Sequence, residues 1–464
     1  MTINLGRQKF EPSFSSGTDQ QHAEMLLDLL ELWASKLKLN RTRYKYYEGK
    51  NRLKDFGIST PPKLRNTDVT VCWPRKAVDA LAIRSRLDGV SATDEGVQAI
   101  VDGVAERSRL KVRYRQGTNS QLIYACSFPV VTTDERGLSY IDSYSAERAA
   151  ARWDEALGRV AYGMAIHDLG DKDVPLDISL FTDDGRARFT MTPAGYYAYD
   201  FEESGLGRCA MDAFAYRASD RQPFGHSRIT RSVMSLTDSA VRVALGGDIS
   251  YQFSVAPQKY LISDNSDVFD GMSKWEAYVG SILAVSSDGI TGDKPSFGQL
   301  PQGSMTQTVD YFRLLAERFS METGIPVSEL GVVHDQPASG DAIRAASEPL
   351  LIEAEDLNDG NRETLKTVLR MAVAAELDKP VADLTAQESA ITPTFRSPAM
   401  PSLAAVADAM VKVAGVVPGF AETDVFLEQM GFAEDIVRRI ESERARASAL
   451  DFLTSLPPVD EAEE

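Results

Sequence analysis

Gly225-His226-Ser227-Arg228-Ile229 opens like a nucleophile elbow, the sharp strand-to-helix turn that presents a serine hydroxyl for acyl transfer. The closing glycine of that motif is missing, and no strand pattern leads into it. Only four histidines occur, at 22, 167, 226 and 334. His167-Asp168 and His334-Asp335 are sequence neighbours, and adjacent residues rarely face one another as base and orienter must. Both pairs read as turn residues. Neither His-Glu-x-x-His nor a carboxylate cluster at ligand spacing is present, so no metal site and no cofactor are expected. Cys72, Cys126 and Cys209 lie 54 and 83 residues apart, which fits neither zinc spacing nor a disulfide framework; they read as reduced, mostly buried thiols. A phosphate-cradling Gly-x-x-x-x-Gly-Lys-Ser/Thr is absent, which excludes a nucleotide-driven motor of that type.

One stretch could do binding chemistry. From Lys36 through Arg41, Arg43, Tyr44, Lys45, Tyr46, Tyr47, Lys50, Arg52 and Lys54, cations alternate with aromatic rings, a composition that can stack on bases and neutralise phosphates. The alternative is a helix end whose tyrosines pack while the cations stay in water. The overall charge speaks against a nucleic-acid wrap: 50 Lys and Arg against 68 Asp and Glu give −18. The charge is uneven, with 16 basic and 10 acidic residues over 1–89 but 11 and 24 over 341–464. Such asymmetry fits two surfaces meeting different partners.

The elements that must position these residues follow from period and punctuation. With 464 residues, 43% of them hydrophobic and 25% charged, the chain has globular composition and room for two to four structural regions. No apolar run is long enough for a membrane span, and the first 19 residues lack a secretory pattern, so synthesis in the cytoplasm is expected. Met25, Leu26, Leu29, Leu30, Trp33 and Leu37 predict an amphipathic helix over 20–38. Pro74 marks a helix start, with Val78, Leu81 and Ala82 on one face. From Phe128 to His167, β-branched and aromatic residues broken at 134–137 and 157–158 predict hairpins, and another joins Ile178–Phe181 to Arg188–Met191 through Asp183, Asp184 and Gly185. Ile229, Val233, Leu236, Ala240 and Val243 form the stripe of a helix that Gly246 and Gly247 should end, followed by a β-like run over 249–255. Val309, Phe312, Ala316 and Phe319 form a second stripe, closing at Gly324 and Pro326. After an irregular loop at 331–340, residues 341–377 read as a long helix kinked at Pro349. Pro393, Pro398 and Pro401 mark a boundary, short helices follow around 403–413, 423–430 and 434–449, and the chain ends in an acidic tail. The class is α+β.

The same residues carry a family likeness. Tyr46-Tyr47-Glu48-Gly49, then Cys72-Trp73-Pro74-Arg75, Val78-Asp79-Ala80 and Arg86-Leu87-Asp88-Gly89-Val90, resemble the N-terminal part of tailed-bacteriophage portal proteins. Pro223-Phe224-Gly225-His226-Ser227-Arg228-Ile229, Val233-Met234-Ser235-Leu236 and Asp238-Ser239-Ala240-Val241-Arg242 resemble the segment entering the portal stem in phages of actinobacterial hosts, with Pro257-Gln258-Lys259-Tyr260 following in order. Thr323-Gly324-Ile325-Pro326-Val327-Ser328-Glu329-Leu330-Gly331 and Ala338-Ser339-Gly340-Asp341-Ala342-Ile343-Arg344 resemble the family's later turn and helix. The likeness spans residues 20–450; no single motif is diagnostic, but their order is specific.

The resemblance implies a portal fold assembled as a ring, usually of twelve copies, at one capsid vertex of the virion after assembly in the host cytoplasm. It implies a wing over 1–226, a stem helix and strand over 227–255, a clip over 256–303, a second stem helix over 304–330, a tunnel loop over 331–340, a kinked helix and wing return over 341–400, and a helical crown with acidic tail over 401–464. Double-stranded DNA would pass through during packaging and ejection. The implied partners are further copies of the chain, the packaging ATPase (terminase large subunit), a head-completion or adaptor protein, major capsid protein and scaffold, with no membrane.

Ile229, Val233, Leu236, Val309 and Phe312 would pack the stem, and a ring would supply the neighbour that such stripes require. His334, Asp335 and Gln336 would face DNA from the loop. An acidic constriction with few cations holds phosphates weakly and lets the duplex slide. Lys274, Trp275 and Lys294 are clip candidates for touching the ATPase or adaptor, Trp275 being equally readable as a core anchor. Two alternatives stand beside this non-enzymatic reading: a monomeric or dimeric nucleic-acid-binding protein gripping through 36–54, and a hydrolase using Ser227 or a His-Asp pair.

Overall fold

The computed structural model describes residues 2–6, 8–51, 69–255, 259–262, 296–299, 305–331, 340–399, 403–432 and 434–455. It falls into two units, Met1–Pro398 and Ala399–Glu464, so the division lies within the proline cluster at 393–401. With 51% helix and 21% strand the class is α+β.

In the first unit, a short hairpin of β1 (Ile3–Asn4) and β2 (Lys9–Phe10) precedes α1 (Gln20–Tyr47). The Asp19 carboxylate accepts from the His22 N–H at 3.0 Å and caps α1. The helix runs nine residues past the end expected from its apolar stripe. Its last turns are held by polar and aromatic contacts that a hydrophobic period does not register, among them buried Asn40, whose Nδ2 donates to the Ala146 carbonyl. Next come α2 (Trp73–Ala82), opened by Pro74 as expected, β3 (Leu87–Ala92), α3 (Glu95–Arg107) and α4 (Leu110–Tyr124). Neither α3 nor α4 was assigned by periodicity. The buried face of α4 includes Tyr114, Gly117, Thr118 and Gln121, so its inward residues are not an apolar stripe.

The hairpins stand where the turns place them: β4 (Cys126–Thr133) with β5 (Ser139–Ser145), β6 (Ala149–Asp154) with β7 (Arg159–Leu169), and β8 (Pro175–Phe181) with β9 (Gly185–Met191). With β10 (Tyr197–Glu203) they build a five-stranded antiparallel sheet ordered β10-β9-β8-β7-β6, while β11 (Phe214–Ala215) joins β4 and β5 in a three-stranded one. Leu26, Leu29, Leu30 and Trp33 of α1 pack onto Met164, Ile166, Ile178, Leu180 and Phe189 of the larger sheet. This joint is pinned by Arg152, whose guanidinium clamps the Asp28 carboxylate at 2.5 and 2.7 Å, with the Tyr162 hydroxyl donating at 2.9 Å.

The Arg152 hydrogen bonds outweigh burial and hold the Asp28 carboxyl below its ordinary 3.8. A lowered carboxylate contributes stability that is complete above about pH 4 and fades as pH falls through the folded-state value. The Asp28→Asn variant is therefore expected to lose about 0.2–1 kcal/mol at pH 7, as exposed pairs do, and to approach the parent as pH falls through the folded-state value. Thermal melts across pH would check this; a constant offset down to pH 2 would refute it.

Next come α5 (Arg231–Val255), a two-stranded pairing of β12 (Lys259–Ile262) with β13 (Ser296–Gln299), α6 (Thr306–Thr323), α7 (Gly340–Glu376) and β14 (Ile391–Phe395). The expected stop at Gly246 and Gly247 and the β-like run over 249–255 are corrected: α5 passes through all of them. A Cβ on Gly247 would lie 3.3 Å from Thr308 Cγ2, so this glycine serves close helix approach rather than termination. α7 likewise continues through Pro349 and Gly360. β14 pairs antiparallel with β3.

In the second unit α8 (Leu403–Val416), α9 (Asp424–Gln429) and α10 (Glu434–Ser455) match the three short helices expected there. The acidic tail from 456 lies outside the described residues.

Candidate functional site at the root of the helix pair

The segment leading into α5 is shaped by one obligatory glycine. Gly225 has φ +70°, and a Cβ there would lie 2.2 Å from the Tyr216 carbonyl oxygen. Only glycine fits, and the turn lets the His226 N–H donate to that oxygen at 2.7 Å. Ser227 follows, buried, its Oγ donating to the Ile123 carbonyl at 2.5 Å rather than meeting a histidine. It is a structural pin, and the hydrolase alternative loses its nucleophile. His167 is corrected too: it lies within strand β7, not in a turn, with Nε2 2.8 Å from Ser179 Oγ.

Arg228 is the junction. It is 5% exposed and its guanidinium meets four groups: Nε donates to the Ala77 carbonyl (2.5 Å), Nη1 to the Tyr216 hydroxyl (2.8 Å) and Glu353 Oε1 (2.5 Å), and Nη2 to the Thr323 carbonyl (2.7 Å). Its N–H donates to the Leu122 carbonyl at 2.9 Å. One side chain thus ties α2, the end of α6 and α7 to the start of α5. The Tyr216 hydroxyl donates to Glu353, and Arg217 adds a second cation to that carboxylate at 2.8 Å. Burial opposes the Arg228 charge, but Tyr216 and Glu353 outweigh it and hold the guanidinium ionised. Burial pushes the Tyr216 phenol up to about 12, so it stays protonated as a donor.

Above the junction, α5 and α6 run antiparallel. The Thr230 hydroxyl donates to Glu322 Oε1 at 2.9 Å near one end, and Gly247 meets Thr308 near the other. Ile229 and Val233 are fully buried, while Leu236 and Phe312 are partly buried against the same core. Trp73 of α2 wedges between Phe312 and Phe319, ring centroids 5.3 and 5.0 Å away. The neighbour that the first stripe demands is therefore found within the chain. Within the single chain Val309 is 53% exposed, and Tyr311, Leu314 and Met321 of α6 are exposed as well. Position 309 shares the stripe's period but lies close to the N-terminus of α6, beyond the cover that α2 gives to Phe312 and Phe319.

The basic aromatic segment is partly consumed by the fold. Arg41 makes a bidentate pair with Asp173 (2.5 and 2.7 Å), and Arg43 Nη1 donates to the Tyr124 carbonyl. The Tyr46 hydroxyl donates to Asp238 at 2.8 Å and that of Tyr47 to Asp79 at 3.0 Å. The tyrosines pack, as the helix-end reading expects. The expectation that all the cations stay in water is corrected for Arg41 and Arg43. Arg52 and Lys54 lie outside the described residues, as do His334, Asp335 and Gln336 of the loop and Lys274, Trp275 and Lys294 of the clip.

Sequence reasoning missed a second basic group. Arg86, Lys111, Arg115 and Arg396 line a cleft of about 460 Å³ beside α2 and α4. The signal was available in the run from Arg107 to Arg115, which holds five cations.

Comparison with known proteins gives the family context. No family model matches the sequence. The portal protein of Mycobacterium phage D29 is 22% identical over 443 residues, covering 90% of this chain and 88% of that protein. The portal protein of Mycobacterium phage L5 is 23% identical over 445 residues, covering 89% and 87%. A chain in the neck of a native GTA particle, solved with C12 symmetry, aligns over 78% of this chain and 89% of its own at 12% identity and a TM-score of 0.40. Over about 90% of its length, then, the chain is similar to the portal proteins of two mycobacteriophages.

Proposed function

We infer that this chain is a phage portal protein, forming a ring at one capsid vertex through which double-stranded DNA is packaged and ejected. The carrying observation is the match to curated portal proteins along nearly the whole of both sequences, with the helix pair and long α7 falling inside the matched length. In this reading α5 and α6 form the stem, 256–303 the clip, 331–340 the tunnel loop and 401–464 the crown. Lys274, Trp275 and Lys294 would meet the packaging ATPase or adaptor, and His334, Asp335 and Gln336 the passing duplex. The Arg228 junction suits such a role because a conduit under load needs its helices fixed at their root, and a guanidinium with four acceptors resists rotation better than apolar packing alone.

The gripping alternative is disfavoured by the geometry. Arg41 and Arg43 already have internal partners, and releasing them would leave Asp173 without that clamp. For the portal reading, negative-stain microscopy and light scattering of the purified full chain are expected to give closed rings with a central hole, at a mass that is a whole multiple, near twelve, of the 50.9 kDa chain. A single-copy species at every concentration, with scaffold and capsid protein supplied, would refute it.

A further inference from the structure

Helices α4 and α7 meet through a buried polar contact, Asn361 Nδ2 donating to the Tyr114 hydroxyl at 2.9 Å and to Gln121 Oε1 at 3.1 Å. On α7 that contact fixes the inward face, so the opposite face follows from the 3.6-residue period. On α4, Lys111 and Arg115 stand one turn apart and exposed, on the flank beside Tyr114, with which they line the cleft. On α7, Glu348, Ile352, Glu355, Asp356, Asp359 and Glu363 form a row turned away from Leu350, Ala354, Leu357 and Asn361. No residue of the α7 row lines the cleft, and the charges of the row and of the cleft's cations are opposite in sign.

Both charged groups are only partly compensated within the chain. Lys111 and Arg115 have no carboxylate partner among the described residues, and in their cleft Arg86 donates to a main-chain carbonyl while Arg396 pairs with Asp88. The single carboxylate lining the cleft, Asp79, is engaged by Tyr47. On α7, Asp359 and Glu363 pair with Arg362 and Lys366, but Glu348, Glu355 and Asp356 have no partner among the described residues. Each row also frames an exposed aliphatic group: Ile352 is 53% exposed on the ridge, and Ile83 is 50% exposed at the cleft. An apolar centre ringed by complementary charge is the anatomy of a specific protein interface.

We propose that the acidic ridge of α7 in one copy seats in the Arg86, Lys111, Arg115, Arg396 cleft of the next. Ridge and cleft are different surfaces of one chain, so the contact is head-to-tail, the type that closes into a ring when the rotation allows. This rests on the ring reading above and adds which faces meet. Nucleic acid is the competing occupant of the cleft, and the ridge is the reason to prefer a second copy.

The test is a charge exchange on the full chain. Lys111→Glu with Arg115→Glu places like charges opposite the ridge, as does Glu355→Lys with Asp356→Lys opposite the cleft. Each double variant is expected to raise the concentration for half-assembly by about tenfold or more in sedimentation velocity, since like-charge juxtaposition across an interface is strongly unfavourable. The quadruple variant is expected to recover most of that loss. All four positions are exposed, and unchanged melting would show that folding is intact. Assembly of either double variant at the parent concentration would overturn the interface while leaving the ring reading standing. So would loss without recovery in the quadruple variant, or loss of DNA binding alone. A parent chain that never assembles would overturn both.

Discussion

Exchange of Arg228 for alanine is expected to lower stability by about 3–5 kcal/mol, the range for removing one partner of a buried ion pair. The loss goes beyond one pair. The Ala77 and Thr323 carbonyls would lose their guanidinium donors, and among the described residues Glu353 would keep only Arg217 and the Tyr216 hydroxyl. Arg228→Lys should recover a minority of the loss, because a single ammonium cannot reproduce a planar fork aimed at acceptors on three elements. Urea unfolding of the full chain would measure both variants; an alanine variant within about 0.5 kcal/mol of the parent, the range of bland surface changes, would refute the assignment.

Val233→Asp is expected to be at least as severe, costing more than about 4 kcal/mol, since it buries an unpaired carboxylate. The resemblance implied that Val233 packs a stem whose neighbour a ring would supply. The fold relocates the damage, because Val233 is fully buried in a core shared by Trp73, Ala316, Phe319 and Leu350 of the same chain. The variant should therefore fail as a single copy, before any assembly step. Val309→Asp, at an exposed position of α6, should melt close to the parent. A Val233→Asp protein with parental melting would show that α5 is not packed as described.

The contrast between these two valines marks what the sequence could convey. Period located α1, α2, α5, α6 and α7 and the hairpins, because their inward residues are apolar and their turns carry Gly and Asp. It could not say whether a stripe is covered from within the chain or by another copy, since both demand the same residues. α4 escaped notice because polar groups line its buried side, with Gln121 bonded to Asn361, 240 positions away. The Arg228 junction was legible only as part of a resemblance to a motif; its partners Ala77, Thr323 and Glu353 are brought together by tertiary structure alone. Gly247 was misread because a glycine that stops a helix and one that admits a neighbour look alike in a linear string.

The pairing of β3 with β14 carries a temporal consequence. Thr394 Oγ1 donates to the Gly89 carbonyl across 305 positions, so β3 has its strand partner only when residues 391–395 have been made. At roughly 5–20 residues per second of synthesis, that interval is roughly 15–60 s, during which an open strand edge is available to other chains. The nascent chain therefore carries β3 without its partner while its own closing strand is still inside the ribosome.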